Sequence, residues 1–189
     1  MKIPKTKDRM LLGILAGGIT FVIQSLFDYT SARQGISKRS YWTTAAGVWV
    51  SSRRQAQKWD GQLLGGWMTF GLNVLNGIFM VWMFTKAGLN KWAIKGMVTA
   101  SAFGSAVNAL LSGFDNNKVS PKDGSSNLSY ALTHIISGLV ASWSIITFGD
   151  KSLFNERIPI IATKEESPSV TPSYVDGSVP NETCPTYMQ

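Results

Sequence analysis

The chain has 189 residues, a net charge of +7, one cysteine and one histidine. The lone Cys184 excludes an internal disulfide, and with His134 as the single histidine it speaks against a zinc site of the usual kind. The positive charge would suit nucleic acid, but the basic residues flank four apolar blocks, a pattern that points to a lipid bilayer as partner and away from nucleic acid.

Residues 1–9 are short and basic, and residues 10–27 follow without a charge for 18 positions. A basic start before an apolar run also describes a signal peptide. This run is long for one, contains Gln24 and leads to no small-residue cleavage site, so it reads as an uncleaved first transmembrane helix of ~27 Å. Residues 28–60 form a long connection with Arg33, Lys38, Arg39, Arg53, Arg54 and Lys58. The stretch YWTTAAGVWV at 41–50 is too short to span. Trp42, Ala45 and Trp49 fall at helical spacing and Arg53 and Arg54 come next, so 41–52 has two readings: a short interfacial helix in the headgroup region, or a small soluble helix packed on the bundle. Gly47 weakens any helix there.

Residues 61–84 organise the rest. They carry no charge in 24 positions, and a helix of that length is ~36 Å long, enough to cross ~30 Å of hydrocarbon with some tilt. Asn73, Asn76 and five glycines are more than an anchor requires. Residues 85–95 make a short turn with Lys86, Lys91, Lys95 and Trp92, which predicts that the second and third spans are antiparallel neighbours. Residues 96–114, rich in Ala, Gly and Ser, form the third span, and 128–148 form the fourth. The polar loop between them contains the turn-like Lys122-Asp123-Gly124-Ser125. Residues 1–155 therefore read as one four-span domain. Residues 156–189, which hold five of the seven prolines, read as a disordered tail that buries too little apolar surface to fold. Ten Lys/Arg lie on the side of the termini and eight on the other, too even a split to fix orientation. Dilution of six of the eight over the long first loop favours both termini in the cytoplasm.

Each span carries a stripe of small or polar residues at spacings of three and four, along one helix face. The stripes are Gly13, Gly17, Thr20 and Gln24, with Asp28 at the membrane edge; Gly61, Gly65, Thr69, Asn73 and Asn76; Gly96, Ala100, Gly104 and Asn108; and His134, Ser137, Gly138, Ala141 and Ser144. Four stripes on four helices imply that these faces meet. In one reading they are packing faces, within the monomer or against other membrane helices. The glycines Gly13, Gly17, Gly61, Gly65, Gly96, Gly104 and Gly138 then allow close approach, and Asn73 and Asn108 tie helices together at about 0.6 kcal/mol each. In the other, Gln24, Asn73, Asn76, Asn108 and His134 form an intramembrane polar cluster lining a channel or transporter path. No Asp, Glu, Lys or Arg lies deep in a span, which speaks against ion or proton coupling.

Signals for catalysis are absent: no Gly-x-Ser-x-Gly elbow, no phosphate-binding loop, no dinucleotide fingerprint and no paired metal ligands. The acids Asp28, Asp60, Asp115 and Asp123 sit at loop edges, where they end helices and face water. The expectation is a non-enzymatic multi-pass membrane protein without a cofactor or metal.

Three motifs stand out as a set: Lys7-Asp8-Arg9 before a glycine-rich span, Ile36-Ser37-Lys38-Arg39-Ser40 before Thr44–Val50, and Gly61-Gln62-Leu63-Leu64-Gly65 opening the second span. Lys91–Gly96, Asn108–Gly113 and Lys118–Tyr130 extend it. On these residues the chain resembles a group of small, uncharacterised four-span membrane proteins of Gram-positive, spore-forming bacteria, over roughly residues 7–155. The resemblance implies the architecture and a bacterial cytoplasmic (cell) membrane. It implies no chemistry and no site residues.

Overall fold

The computed structural model describes residues 4–119 and 123–154. The tail expected at 156–189 lies outside them. The described chain is all-α: α1 (Arg9–Arg33), α2 (Tyr41–Ala46), α3 (Arg53–Ala56), α4 (Trp59–Ala87), α5 (Trp92–Gly113) and α6 (Gly124–Phe148), closed by a 3₁₀ turn at Lys151–Phe154. Helices α1, α4, α5 and α6 are long and apolar enough to cross a membrane.

The starts of α1 and α6 are set by side-chain caps rather than by the first charged residue. Asp8 Oδ1 accepts the N–H groups of Met10 (2.8 Å) and Leu11 (3.1 Å), which starts α1. Asp123 does the same for α6 through Ser126 N–H at 3.1 Å, so the stretch read as a turn at 122–125 is in part the first turn of a helix. Helix α4 ends at Gly88, whose φ of +69° suits glycine, and Lys95 Nζ donates to the carbonyls of Ala87 (2.7 Å) and Gly88 (3.0 Å). A cation on those orphan carbonyls suits the negative end of the helix. Arg33 and Trp59 extend α1 and α4 beyond their apolar runs, so Asp28 lies inside α1 and Asp60 in the first turn of α4.

The helices run up, down, up and down. The two ends of the described chain meet: Thr6 N–H donates to Phe148 O at 2.8 Å and Asp150 N–H to Thr6 O at 3.0 Å. At the opposite end Lys118 N–H donates to Gly47 O at 3.0 Å, joining the first and third loops. Lipid tails are as apolar as leucine, so close packing rather than water exclusion holds such helices together. The stripes supply it in two pairs. Gly13 lies against Ile78 Cα, Gly17 against Val74 Cα and the Asn73 carbonyl, and Gly77 against Gly13 O, which fixes the α1–α4 crossing. Gly96, Gly138, Ala100 and Ser142 interlock α5 with α6. Gly61 and Gly65 serve differently: they receive the backbones of Ala56 in α3 and Trp42 in α2. Leu12 and Ala16 of α1 join Met80, Val81 and Phe84 of α4 and Ala141 and Ile145 of α6 in a core closed by Leu153 and Phe154.

Two expectations change. Helices α4 and α5 are consecutive and antiparallel but scarcely packed on each other, because the small face of α5 is taken by α6. The 41–52 segment is helical only to Ala46, so Trp49 leaves the face shared by Trp42 and Ala45 and is 63% exposed. Trp42 turns inward and stacks on Phe21 (centroids 6.0 Å apart, planes 2° apart), with its carbonyl against Gly65, six residues or ~9 Å into α4. Helix α2 is thus packed into the end of the bundle.

Candidate functional site

The parting of α4 and α5 leaves a cavity of about 50 Å³ backed by α1 and α6. Such a volume holds a few waters or a very small solute. All five residues of the expected polar cluster line it: Gln24 from α1, Asn73 and Asn76 from α4, Asn108 from α5 and His134 from α6. Gly104 also lines it, with the His134 ring against its bare Cα. The other six glycines named from the sequence lie at helix contacts outside the lining.

The polar groups differ in how they are satisfied. Asn73 Nδ2 donates to Thr69 O of its own helix at 2.9 Å, so Asn73 is not the tie between helices expected of it. Asn108 does tie two, through Asn127 Oδ1 of α6 at 3.3 Å. Hydroxyls in these helices mostly bond back one turn: Thr20 to Ala16 O, Thr69 to Gly65 O, Thr85 to Val81 O, Thr133 to Ser129 O, Ser142 to Gly138 O and Ser144 to Val140 O, all at 2.7–2.8 Å. Ser137, 2% exposed, departs from this: its Oγ has no hydrogen-bond partner. Asn76, 6% exposed, has an unpartnered Oδ1, while its Nδ2 reaches only Met80 Sδ at 3.8 Å. Both side chains line the cavity. Buried polar atoms without partners are costly, and a solute or water with complementary groups would satisfy them.

The loop end of the cavity is formed by α2, which contributes Tyr41, Thr44 and Ala45. The Tyr41 ring lies 4.3 Å from that of Tyr130 and edge-on to His134 at 5.6 Å, and its hydroxyl donates to Tyr130 O at 3.1 Å. Burial pushes the Tyr41 phenol well above its ordinary range. The charge of Asp28 and Tyr130 add to this, and hydrogen bonds from Thr133 and Gln24 oppose it. Tyr41 therefore stays a neutral donor at physiological pH. Asn117, from the third loop, pins α2: its Nδ2 donates to Leu111 O (2.8 Å) and Thr44 O (3.3 Å), while Oδ1 accepts Val119 N–H (2.9 Å).

No Lys, Arg, Asp or Glu lines the cavity, so its interior favours an uncharged occupant. Among the described residues, no three His, Cys, Asp or Glu gather where they could hold a metal ion. Sequence reasoning missed Tyr41 and Tyr130. Tyr130 lies four residues before His134 and seven before Ser137, on the same face, so extending that stripe would have found it. Asp28 does not end a helix or face water, as expected of it. It is buried within α1.

Four helices long and apolar enough to cross a membrane put this chain in the class of multi-pass membrane proteins. No protein-family model matches it, and neither a curated protein nor a solved structure matches it.

Proposed function

We propose that the chain is a non-enzymatic protein of the cell membrane, with both termini in the cytoplasm, that binds a small uncharged solute within the bilayer as a channel or transporter component. The carrying observation is the pair Asn76 Oδ1 and Ser137 Oγ, both buried, both without partner and both on one uncharged cavity. Of the alternative, a role confined to helix packing or partner helices, only the partner-helix half loses ground at the glycine stripes. Those faces are already occupied within the monomer. The bacterial cytoplasmic membrane follows from the resemblance alone and belongs to the proposal.

Stopped-flow light scattering of proteoliposomes with urea and glycerol tests it. The wild-type chain should raise permeability to at least one of these solutes above that of protein-free liposomes. Asn76→Leu should remove the increase, and Gly71→Ala, where an added Cβ meets nothing within 4 Å, should keep it. Permeability equal to that of empty liposomes for both solutes would refute the channel reading.

A further inference from the structure

Asp28 is used differently from the other acids. Asp8 and Asp123 cap helix starts, and Asp60 accepts the N–H of Gly61 at the exposed start of α4. Asp28 lies inside α1, one turn past Gln24 on the same face, and is 4% exposed. Its Oδ2 accepts the Tyr41 N–H at 2.7 Å, whereas Oδ1 is buried with no hydrogen-bond partner. Tyr41 is the first residue of α2, the helix that covers the cavity.

We propose that Asp28 is a proton-binding site whose occupancy sets how firmly α2 is held over the cavity. As a carboxylate it can only accept, so Oδ2 holds the Tyr41 N–H in a charge-assisted bond while Oδ1 stays buried and unsatisfied. One proton taken from water turns Oδ1 into an O–H donor. The bond to Tyr41 then becomes a neutral one, about half as strong, and the new donor is free to turn to a carbonyl or to a solute. Proton uptake thereby loosens α2, and proton release fastens it.

The titratable groups around Asp28 can be named by element. Helix α2 presents Tyr41, and α6 presents Tyr130 and, across the Tyr41 ring, His134. The α1–α2 connection runs past with Arg39, whose carbonyl accepts the Tyr130 hydroxyl at 2.7 Å, and with Lys38, whose N–H is held by Ser126 Oγ at 3.0 Å. Helix α4 faces this end of the cavity with Thr69 and Asn73, neither of which titrates. The proton site stands on its own geometry. Only its consequence for solute access rests on the binding reading above.

The test uses the full chain in liposomes of phosphatidylcholine and phosphatidylglycerol, without solute. Trp42 stacks on Phe21 and covers Gly65 and Gly66, so its emission reports the seating of α2. Its contribution is isolated as the difference between wild type and Trp42→Phe, from about pH 5 to about pH 9. The wild-type signal should titrate as one proton, Asp28→Asn should lose the response, and His134→Gln should keep it. In parallel, dicyclohexylcarbodiimide, which attacks protonated carboxyls in apolar surroundings, should modify wild-type Asp28 more at acid than at alkaline pH, read by peptide mass. This arm needs no variant to fold. A flat wild-type trace, an unchanged titration in Asp28→Asn, its loss in His134→Gln, or no adduct at any pH would each overturn the proposal. Absent solute flux with an intact Trp42 titration would instead overturn the binding reading and leave the proton site standing.

Discussion

Gly17 and Gly18 are neighbours in α1, and the structure predicts opposite responses when each becomes alanine. A Cβ on Gly17 would stand 2.5 Å from the Asn73 carbonyl oxygen and 2.6 Å from Val74 Cα, while one on Gly18 would meet nothing within 4 Å. Both obstacles at Gly17 are backbone, so no rotamer change relieves them. Reaching 3.4 Å, where ordinary contact begins, requires α1 and α4 to part by about 0.9 Å. A gap of ~0.5–1 Å forfeits roughly a quarter to a half of the dispersion attraction between facing atoms. Overpacking of this kind costs about 1–3 kcal/mol, and the better helix propensity of alanine returns about 1 kcal/mol. Gly17→Ala should therefore lose up to about 2 kcal/mol, whereas Gly18→Ala should gain about 0.5–1 kcal/mol. Unfolding in mixed micelles by titration with dodecyl sulfate, followed by far-ultraviolet circular dichroism, measures both. If Gly17→Ala proved as stable as Gly18→Ala, or the order reversed, α1 and α4 would not cross in this register.

Two further outcomes test the covering of the cavity. Asn117→Ala removes the acceptor of the buried Val119 N–H and the donor to the Thr44 and Leu111 carbonyls, so it should destabilise by about 2 kcal/mol and speed hydrogen exchange at the amides of Thr43 to Ala46. Asp123 is lowered to about 2 from its ordinary 3.8, chiefly by hydrogen bonds from the Ser126 side chain and backbone, against a small opposing effect of burial. A depressed carboxylate contributes stability that is complete above its unfolded value and is lost as pH falls through its folded one. The first turn of α6 should therefore hold above about pH 4 and fray as pH drops toward 2, with faster exchange at Ser126 and Asn127; exchange there independent of pH after correction for intrinsic rates would refute this cap.

The membrane helices were legible because a bilayer demands about 18 or more apolar residues in a row, a constraint no other part of the sequence meets. Their limits were not, because polarity and helicity end at different places. Apolar character stops at Asp28, while hydrogen bonding carries α1 on to Arg33, and Asp123 starts α6 four residues before its apolar run. The stripes marked which faces are small or polar, but not which faces pair. The short link at 88–91 suggested that α4 and α5 pack together, yet the fit of Gly96 to Gly138 decides the partner of α5. The depth of α2 depends on a tertiary fit, the Trp42 carbonyl against the bare Cα of Gly65, and no local pattern in YWTTAA encodes it.

That fit bears on why the cavity exists at all. A bundle needed only for packing could carry leucine at position 76 and alanine at 137 without leaving polar atoms unsatisfied. The same helices show how a hydroxyl is made harmless in lipid: Thr133 and Ser142, on either side of Ser137, each bond back to their own helix. Ser137 does not, and Asn76 opposes it from α4 across the space that α5 leaves by leaning on α6. The cover over that space is itself polar, with α2 fastened at its start by Asp28 and near its end by Asn117. Tyr41 Oη on Tyr130 O and Gln62 Nε2 on Thr43 Oγ1 also hold this short helix, so altering one of the two ties loosens it without releasing it. The tie at Asp28 is ionisable and the tie at Asn117 is not, so the cover should loosen at the Tyr41 end first.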